Sequence, residues 1–92
     1  MSDSICVGII PKNKSEEVHV SLSEFKGHKN FDVRVFYMAD NDEVKPTPKG
    51  VSLSIEKLDA LIVELVETKK RAQRMGWLKE SQESWELRHS GI

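Results

Sequence analysis

Between residues 18 and 53 apolar and polar positions alternate in three stretches separated by glycine-marked breaks. Val18, Val20 and Leu22 alternate with His19, Ser21 and Ser23, the period of two that marks a strand with one buried face. Lys26-Gly27 interrupts the pattern, and Phe31, Val33 and Val35 then alternate with Asp32, Arg34 and Phe36, so both strands can line one core. Asp40-Asn41-Asp42 is a turn cluster, because these side chains bond their own backbone and tolerate left-handed conformations. A hairpin there pairs the Phe31 strand with Val44 to Leu53. Pro46 and Pro48 cannot donate ladder hydrogen bonds, so the first half of that last strand must be an edge or a bulged arm, with Gly50 at the bend. Upstream, Ile5 to Ile10 is almost continuously apolar, which fits a short strand or a dimer edge ended by Pro11.

After Leu53 the period changes. Ser54 is a good N-cap, Glu56 suits a first helical turn, and Ile55, Leu58, Leu61, Ile62, Leu65 and Val66 recur at helical spacing. A polar, helix-forming stretch from Glu67 to Arg74 follows, and Gly76 can close it as the C-cap. The expected domain therefore covers residues 1–76, with strands at about 5–10, 18–24, 30–38 and 44–53 and a helix at about 55–75. Residues 77–92 form a tail in which Trp77, Ser81 and Trp85 share a helical face, so Trp77 to Arg88 is a candidate second short helix.

The fold class expected is α+β: a four-stranded curved antiparallel sheet followed by one long helix. One helix covers one face of such a sheet, and its apolar stripe is wider than a small sheet needs. A symmetric homodimer with helices at the interface, through Leu58, Leu61, Ile62, Leu65 and Val66, would bury the excess. A chain of 92 residues has the size of one domain and buries only about 60 to 65% of its unfolded surface, which also favours a partner subunit.

Formal net charge is −1, and Lys and Arg are spread over both halves, which argues against a bulk binder of duplex DNA and leaves room for a local cationic groove. The single cysteine, Cys6, cannot form an internal disulfide, and no apolar run approaches the roughly 20 residues needed to cross a bilayer. The N-terminal apolar stretch has no preceding positive charge and no small-residue cleavage site, so it does not read as a signal peptide. The expectation is a reduced, intracellular protein, in the nucleus if eukaryotic and in the cytoplasm or nucleoid if bacterial.

Single-stranded nucleic acid is held by aromatic rings on which bases stack and by cations that follow the backbone. The candidates are Phe25, Phe36, Tyr37, Lys26, Lys29, Arg34, Lys45 and Lys49. Phe25-Lys26-Gly27 couples a ring, a cation and a turn, although a lone Phe more often folds back as a loop anchor. Arg34 beside Asp32 has the alternative of a solvated pair, and Lys45 and Lys49, about 14 Å apart if extended, have that of edge lysines that block aggregation. Asp40, Asp42 and Glu43 lack a calcium-loop frame. His19, His28 and His89 lack metal-ligand spacing, and Cys6 is far from each in sequence, so no metal or cofactor is expected. No nucleophile elbow or phosphate-binding glycine loop is present, and the reading is of a binding protein and not an enzyme. Lys69, Lys70, Arg71 and Arg74 complement the helix dipole, whereas Trp77 and Trp85 suit packing or a protein contact.

Several features taken together resemble the DNA-binding core of the transcriptional positive-cofactor-four family. They are the opening Val20-Ser21-Leu22-Ser23-Glu24-Phe25-Lys26-Gly27, Asp32 and Arg34 within a strand, Tyr37-Met38 before the turn, and Lys45-Pro46 followed by Lys49-Gly50-Val51-Ser52-Leu53. The resemblance covers about half of the chain firmly and extends through the helix by pattern. It implies a dimeric sheet-plus-helix fold whose two sheets form a channel for antiparallel single strands of DNA. Carried over position by position, it marks Phe25, Lys26, Arg34, Tyr37, Lys45 and Lys49 as DNA contacts. His28 is also expected among the nucleic-acid-binding residues, but it stands where a Lys is usual, as Tyr37 stands where relatives have Trp and Pro48 where an Arg is usual, which implies weaker or more salt-sensitive binding. In a flat strand Arg34 and Tyr37 face opposite sides, so either the strand twists or bulges between them or Phe36 is the stacking ring.

The expected function is single-stranded-DNA binding with little sequence preference, in transcription, replication or repair, with the corresponding machinery as a candidate partner and no membrane. One alternative is an RNA-binding regulator on the same platform. The other is a protein-interaction module acting through the Trp77 to Trp85 tail.

Overall fold

The two alternating stretches at Val18–Leu22 and Phe31–Val35 lie side by side in register. Val18 pairs with Val35, Val20 with Val33 and Leu22 with Phe31, so the apolar residues of both strands share one face. The structure, a computed structural model, describes residues 2–78. Strand β1 is Ser2–Pro11, β2 is Glu16–Phe25, β3 is His28–Met38 and β4 is Val44–Ser54, followed by a 3-10 turn, Ile55–Lys57, and helix α1, Leu58–Arg74. The strands form one antiparallel sheet in chain order β1-β2-β3-β4, as the expected α+β meander requires. The chain divides into two compact units, Met1–Leu58 and Asp59–Ile92.

Each hairpin has a local cause. Lys26 and Gly27 both have positive φ, 52° and 81°, and join Phe25 directly to His28 in a two-residue turn that matches the strands' own twist. Between β3 and β4 the Ala39 N–H donates to the Glu43 carbonyl at 2.7 Å, and Asp42 takes φ 64°. Between β1 and β2 the Asn13 carboxamide oxygen accepts from the Ser15 N–H at 3.0 Å, a side-chain turn of the kind Asn supplies.

Two irregularities re-aim side chains. In β1, Cys6 pairs with Ser21 and Gly8 with Val20, so Val7 is an extra, unpaired residue. The bulge reverses the phase of β1: Ile5 and Ile10 share the parity of Leu22 and Val18, whereas Ile9 sits opposite His19. That switch explains an apolar run without alternation.

The second irregularity lies in β4, where Arg34 pairs with Gly50 and Phe36 with Pro46, so Val35 alone faces Thr47, Pro48 and Lys49. β4 is an edge strand, which tolerates both prolines. The simple parity of Lys45, Thr47 and Lys49 expected from sequence does not survive this bulge, because the extra residues break the period of two. At Gly50 the strands come so close that a Cβ would lie 2.5 Å from the Val33 carbonyl oxygen and 2.7 Å from the Arg34 Cα.

Among the described residues Phe31 is the buried hydrophobic side chain, and burying such a ring contributes roughly 1.5–3 kcal/mol. Val18, Val20, Val33 and Val35 are half-buried, while Ile5 and Val7 remain exposed.

Ser54 occupies the N-cap position with extended backbone, but its hydroxyl makes no capping bond to the helix backbone and instead approaches the Glu56 carboxylate at 3.4 Å. In the second unit, α1 ends as the sequence predicts. The Trp77 N–H donates to the Ala72 carbonyl at 2.9 Å and the Gly76 N–H to Gln73 at 3.1 Å, with Gly76 at φ 78°. Ile62, Val63, Leu65 and Val66 are exposed along α1, and Leu61 is half-buried. Trp77 is exposed. Residues 79–92, with Ser81, Trp85 and His89 and most of the expected second helix, lie outside the described residues. Among the described residues no helix is long and apolar enough to cross a membrane.

Gly50→Ala must push β4 away from the β3 backbone and is expected to cost roughly 2 kcal/mol or more. Gly27→Ala, whose Cβ meets nothing but whose φ is positive, is expected to cost about 1–2 kcal/mol. Urea denaturation of the two variants checks the ranking.

Candidate nucleic-acid interface

Alternation fixes which side chains share the polar face of the sheet. On β2 these are Glu17, His19, Ser21, Ser23 and Phe25, and on β3 His28, Asn30, Asp32, Arg34 and Phe36. Four expected site residues therefore fall in one phase: Phe25, His28, Arg34 and Phe36. Phe25 and His28 are direct partners at the hairpin tip, with Lys26 in the turn between them. The Lys26 ammonium sits 5.3 Å from the Phe25 ring centroid, so ring and cation are presented together. Both side chains are exposed. Eight residues along β3, about 27 Å away along the strand, Phe36 forms a second aromatic station.

Arg34 lies between them and is held from three directions. Its Nε and Nη2 donate to the two Asp32 carboxylate oxygens at 2.9 and 3.0 Å, and Nη1 donates to the Thr47 carbonyl at 3.1 Å. The Asp32 hydrogen bonds hold the guanidinium proton more tightly than usual, ahead of an opposing desolvation effect. The Thr47 hydroxyl in turn donates to the Val35 carbonyl at 2.7 Å and accepts from the Lys49 N–H at 3.1 Å. A side chain thus supplies the bonds that the bulge and its prolines cannot. Three guanidinium donors are occupied, and a guanidinium has five, so two make no hydrogen bond among the described residues.

Phe36 is not free on both faces. The His19 ring stacks on it with centroids 3.9 Å apart and planes 10° from parallel, and His19 Nε2 lies 2.8 Å from a Glu17 carboxylate oxygen. On its other side, His19 Nδ1 lies 3.9 Å from the Cys6 sulfur. Of the three partners of His19, Glu17 stands two residues away on the same face of β2 and shows in local spacing, whereas Phe36 and Cys6 do not. Cys6, distant in sequence, is brought to the imidazole by the fold-back of β1 on β2, and only the pairing of the Ile5–Ile10 and Val18–Leu22 strands could have indicated it.

Tyr37, Lys45 and Lys49 are placed differently. β3 runs without interruption against β2 through Tyr37, so Tyr37 keeps the phase of Val33 and Val35 and pairs with Glu16 and with Lys45. No bulge on β3 brings it to Arg34's face, and it is Phe36 that shares that face. Lys45 is exposed, with Glu43 3.9 Å from its ammonium. Lys49 is exposed within the β4 bulge, and Lys29 on β3 takes the apolar phase. Among the described residues no group of His, Cys, Asp and Glu could hold a metal ion.

An open four-stranded antiparallel sheet with rings and an arginine on its polar face, followed by one long helix, defines the class of small α+β module to which the chain belongs. The family model described as Transcriptional Coactivator p15 (PC4) matches residues 12–63, more than half of the chain, and the chain belongs to that family. A crystal structure of a PC4 homologue from Burkholderia pseudomallei is similar at 22% identity and TM-score 0.66, over 71% of this chain and 88% of that one. A second crystal form of the same homologue gives 21% identity and TM-score 0.67, over 72% and 97% of the two chains. The bacteriophage T5 homologue of the eukaryotic transcription coactivator PC4, implicated in recombination-dependent DNA replication, aligns over 97% of both chains at 24% identity and TM-score 0.60. Among curated proteins no match is found.

At the rim of the sheet, Asn13 and Lys12 donate to a Glu16 carboxylate oxygen at 2.8 and 3.1 Å. The Asn13 bond first, and the Lys12 bond second, hold the Glu16 carboxyl below the usual glutamate range. A lowered folded value means that the stabilisation is complete above the unfolded value and is lost as pH falls through the folded one. A side-chain carbon NMR titration is expected to place the Glu16 midpoint below the ordinary value of 4.5, and Asn13→Ala is expected to raise it.

Proposed function

We propose that this chain binds single-stranded DNA along the polar face of its sheet, with slight sequence preference, to capture or stabilise melted DNA in transcription, replication or repair. The observation that carries the reading is the common phase of Phe25, His28, Arg34 and Phe36, with Lys26 in the turn. Rings supply stacking that every base can satisfy, and Arg34 supplies two free donors at a fixed position. None of these groups reads base edges, so discrimination between sequences is small. Tyr37 and its partner Lys45 stand in the opposite phase from Phe36, so they join the contact only where the bound strand passes around the β4 edge, beside Lys49 in the bulge. Membership in a coactivator family, and the implication of the T5 homologue in recombination-dependent DNA replication, support a role at opened DNA.

The same reading includes a homodimer through α1. Exposed Ile62, Leu65 and Val66 need cover that a single helix does not give them, and Leu58 and Leu61 continue the stripe. Leu65→Glu is expected to shift the mass measured by light scattering from two chains to one.

Fluorescence anisotropy of a labelled single strand of about 20 nucleotides, against its duplex and the matched RNA, tests the binding. The expected result is preference for single-stranded DNA, with a salt slope of about −0.7 per phosphate contact. Phe36→Ala and Phe25→Ala are each expected to weaken binding by about tenfold. A larger loss in Tyr37→Ala than in Phe36→Ala would move the stacking station to the other phase. No binding at low salt would reject the nucleic-acid reading, and tighter RNA binding would replace its DNA form.

A further inference from the structure

The Val7 bulge turns Cys6 toward β2, where three reactive groups line up: the Cys6 sulfur 3.9 Å from His19 Nδ1, and His19 Nε2 2.8 Å from the Glu17 carboxylate. A nucleophile within reach of a base that is itself oriented by a third group is the arrangement that activates side chains for covalent chemistry. When Nε2–H donates to Glu17, the lone pair of Nδ1 points at the thiol, which is the tautomer needed to accept its proton. The imidazole cannot easily turn away, because its side chain is only 14% exposed and its face lies on Phe36. The thiol has one further partner, the Gly8 carbonyl at 3.6 Å. Cys6 itself is exposed, so it is not a packed core residue and a reagent can reach it.

We propose that Cys6 is a thiol-modification site, with His19 as its base and Glu17 as the positioning carboxylate, that accepts low-molecular-weight disulfides and thereby controls the nucleic-acid face. In the step, His19 Nδ1 takes the Cys6 proton and the sulfur attacks one sulfur of the disulfide. The reagent's S–S bond breaks as the new one forms, and the leaving thiolate takes the proton back from His19. Cys6 is oxidised, one reagent sulfur is reduced, and the products are a mixed disulfide and a free thiol. With glutathione disulfide the adduct places a bulky, net-negative group beside the His19–Phe36 stack. There it obstructs base stacking and repels phosphates. The control of binding rests on the proposed single-strand reading, whereas the chemistry of Cys6 does not.

Two measurements on the full chain separate these parts. The first is the rate of thiopyridone release from dithiodipyridine at pH 7, for wild type, His19→Gln and Glu17→Gln, and for wild type unfolded in urea. Folded wild type is expected to react about tenfold faster than the unfolded chain. His19→Gln is expected to lose most of that gain and Glu17→Gln, which keeps the ring, part of it. A folded rate no faster than the unfolded one, or a Glu17→Gln rate equal to wild type, would overturn the site.

The second is anisotropy of the glutathione adduct with the labelled single strand, beside Cys6→Ser given the same treatment. The adduct is expected to bind at least about tenfold more weakly and to recover with dithiothreitol, while Cys6→Ser is unaffected. Unchanged affinity of the adduct would overturn the control of binding. If the reduced protein bound no single strand at all, the proposed function would fail and the thiol rates would still decide the site.

Discussion

Pro46 and Pro48 remove two backbone donors from β4 where it must stay joined to β3, and the geometry of the polar face follows from how that deficit is met. The Thr47 hydroxyl bonds the Val35 carbonyl and receives the Lys49 N–H, while the Thr47 carbonyl takes a guanidinium proton of Arg34. One residue thereby closes the bulge and fixes the cation. Gly50 completes the junction, since only a residue without Cβ lets β4 pass this close to Val33 and Arg34. Arg34 is thus anchored by both neighbours of its strand environment, Asp32 along β3 and Thr47 across to β4, and has little conformational freedom left to lose in the proposed contact.

Much of this geometry is legible in the amino-acid sequence. The period of two in Val18–Leu22 and Phe31–Val35 fixes both strands and their shared face, because a one-residue slip would expose every one of those side chains. Lys26-Gly27 and Gly76 were readable as a turn and a helix end for the same reason: each occupies a positive φ that glycine permits. The prolines announced an irregular edge. They did not announce that three residues of β4 would face one of β3, which depends on Thr47 finding the Val35 carbonyl across the sheet.

The Ile5–Ile10 run hid its bulge more completely. Where every residue is apolar, reversing the phase leaves no mark in the sequence, and the reversal appears only once Cys6 and Gly8 are seen on neighbouring β2 residues. The approach of Cys6 to His19 is hidden with it. Ser54 had the residue type of a cap, but its hydroxyl turned to Glu56. Helix entry here is set by the chain leaving β4 through a 3-10 turn, and the capping bond is not what fixes it.

The placing of Phe36 and Tyr37 in opposite phases shows how strand alternation constrains a chain this small. A sheet in which Phe31 is the one fully buried large side chain among the described residues has little stability to lose by distorting β3, and β3 indeed keeps its alternation from His28 to Met38. The distortion is placed in β4, an edge strand whose bulge disturbs one ladder and not two. Phe36 consequently stays on the face of Arg34, and its inner surface is already covered by His19. In the proposed single-strand contact this makes a two-ring platform, held level by Glu17, in place of a single mobile ring. With formal net charge −1 and three of Arg34's five guanidinium donors committed to the protein, the proposed single-strand contact rests chiefly on prearranged rings, and general attraction to phosphate comes second.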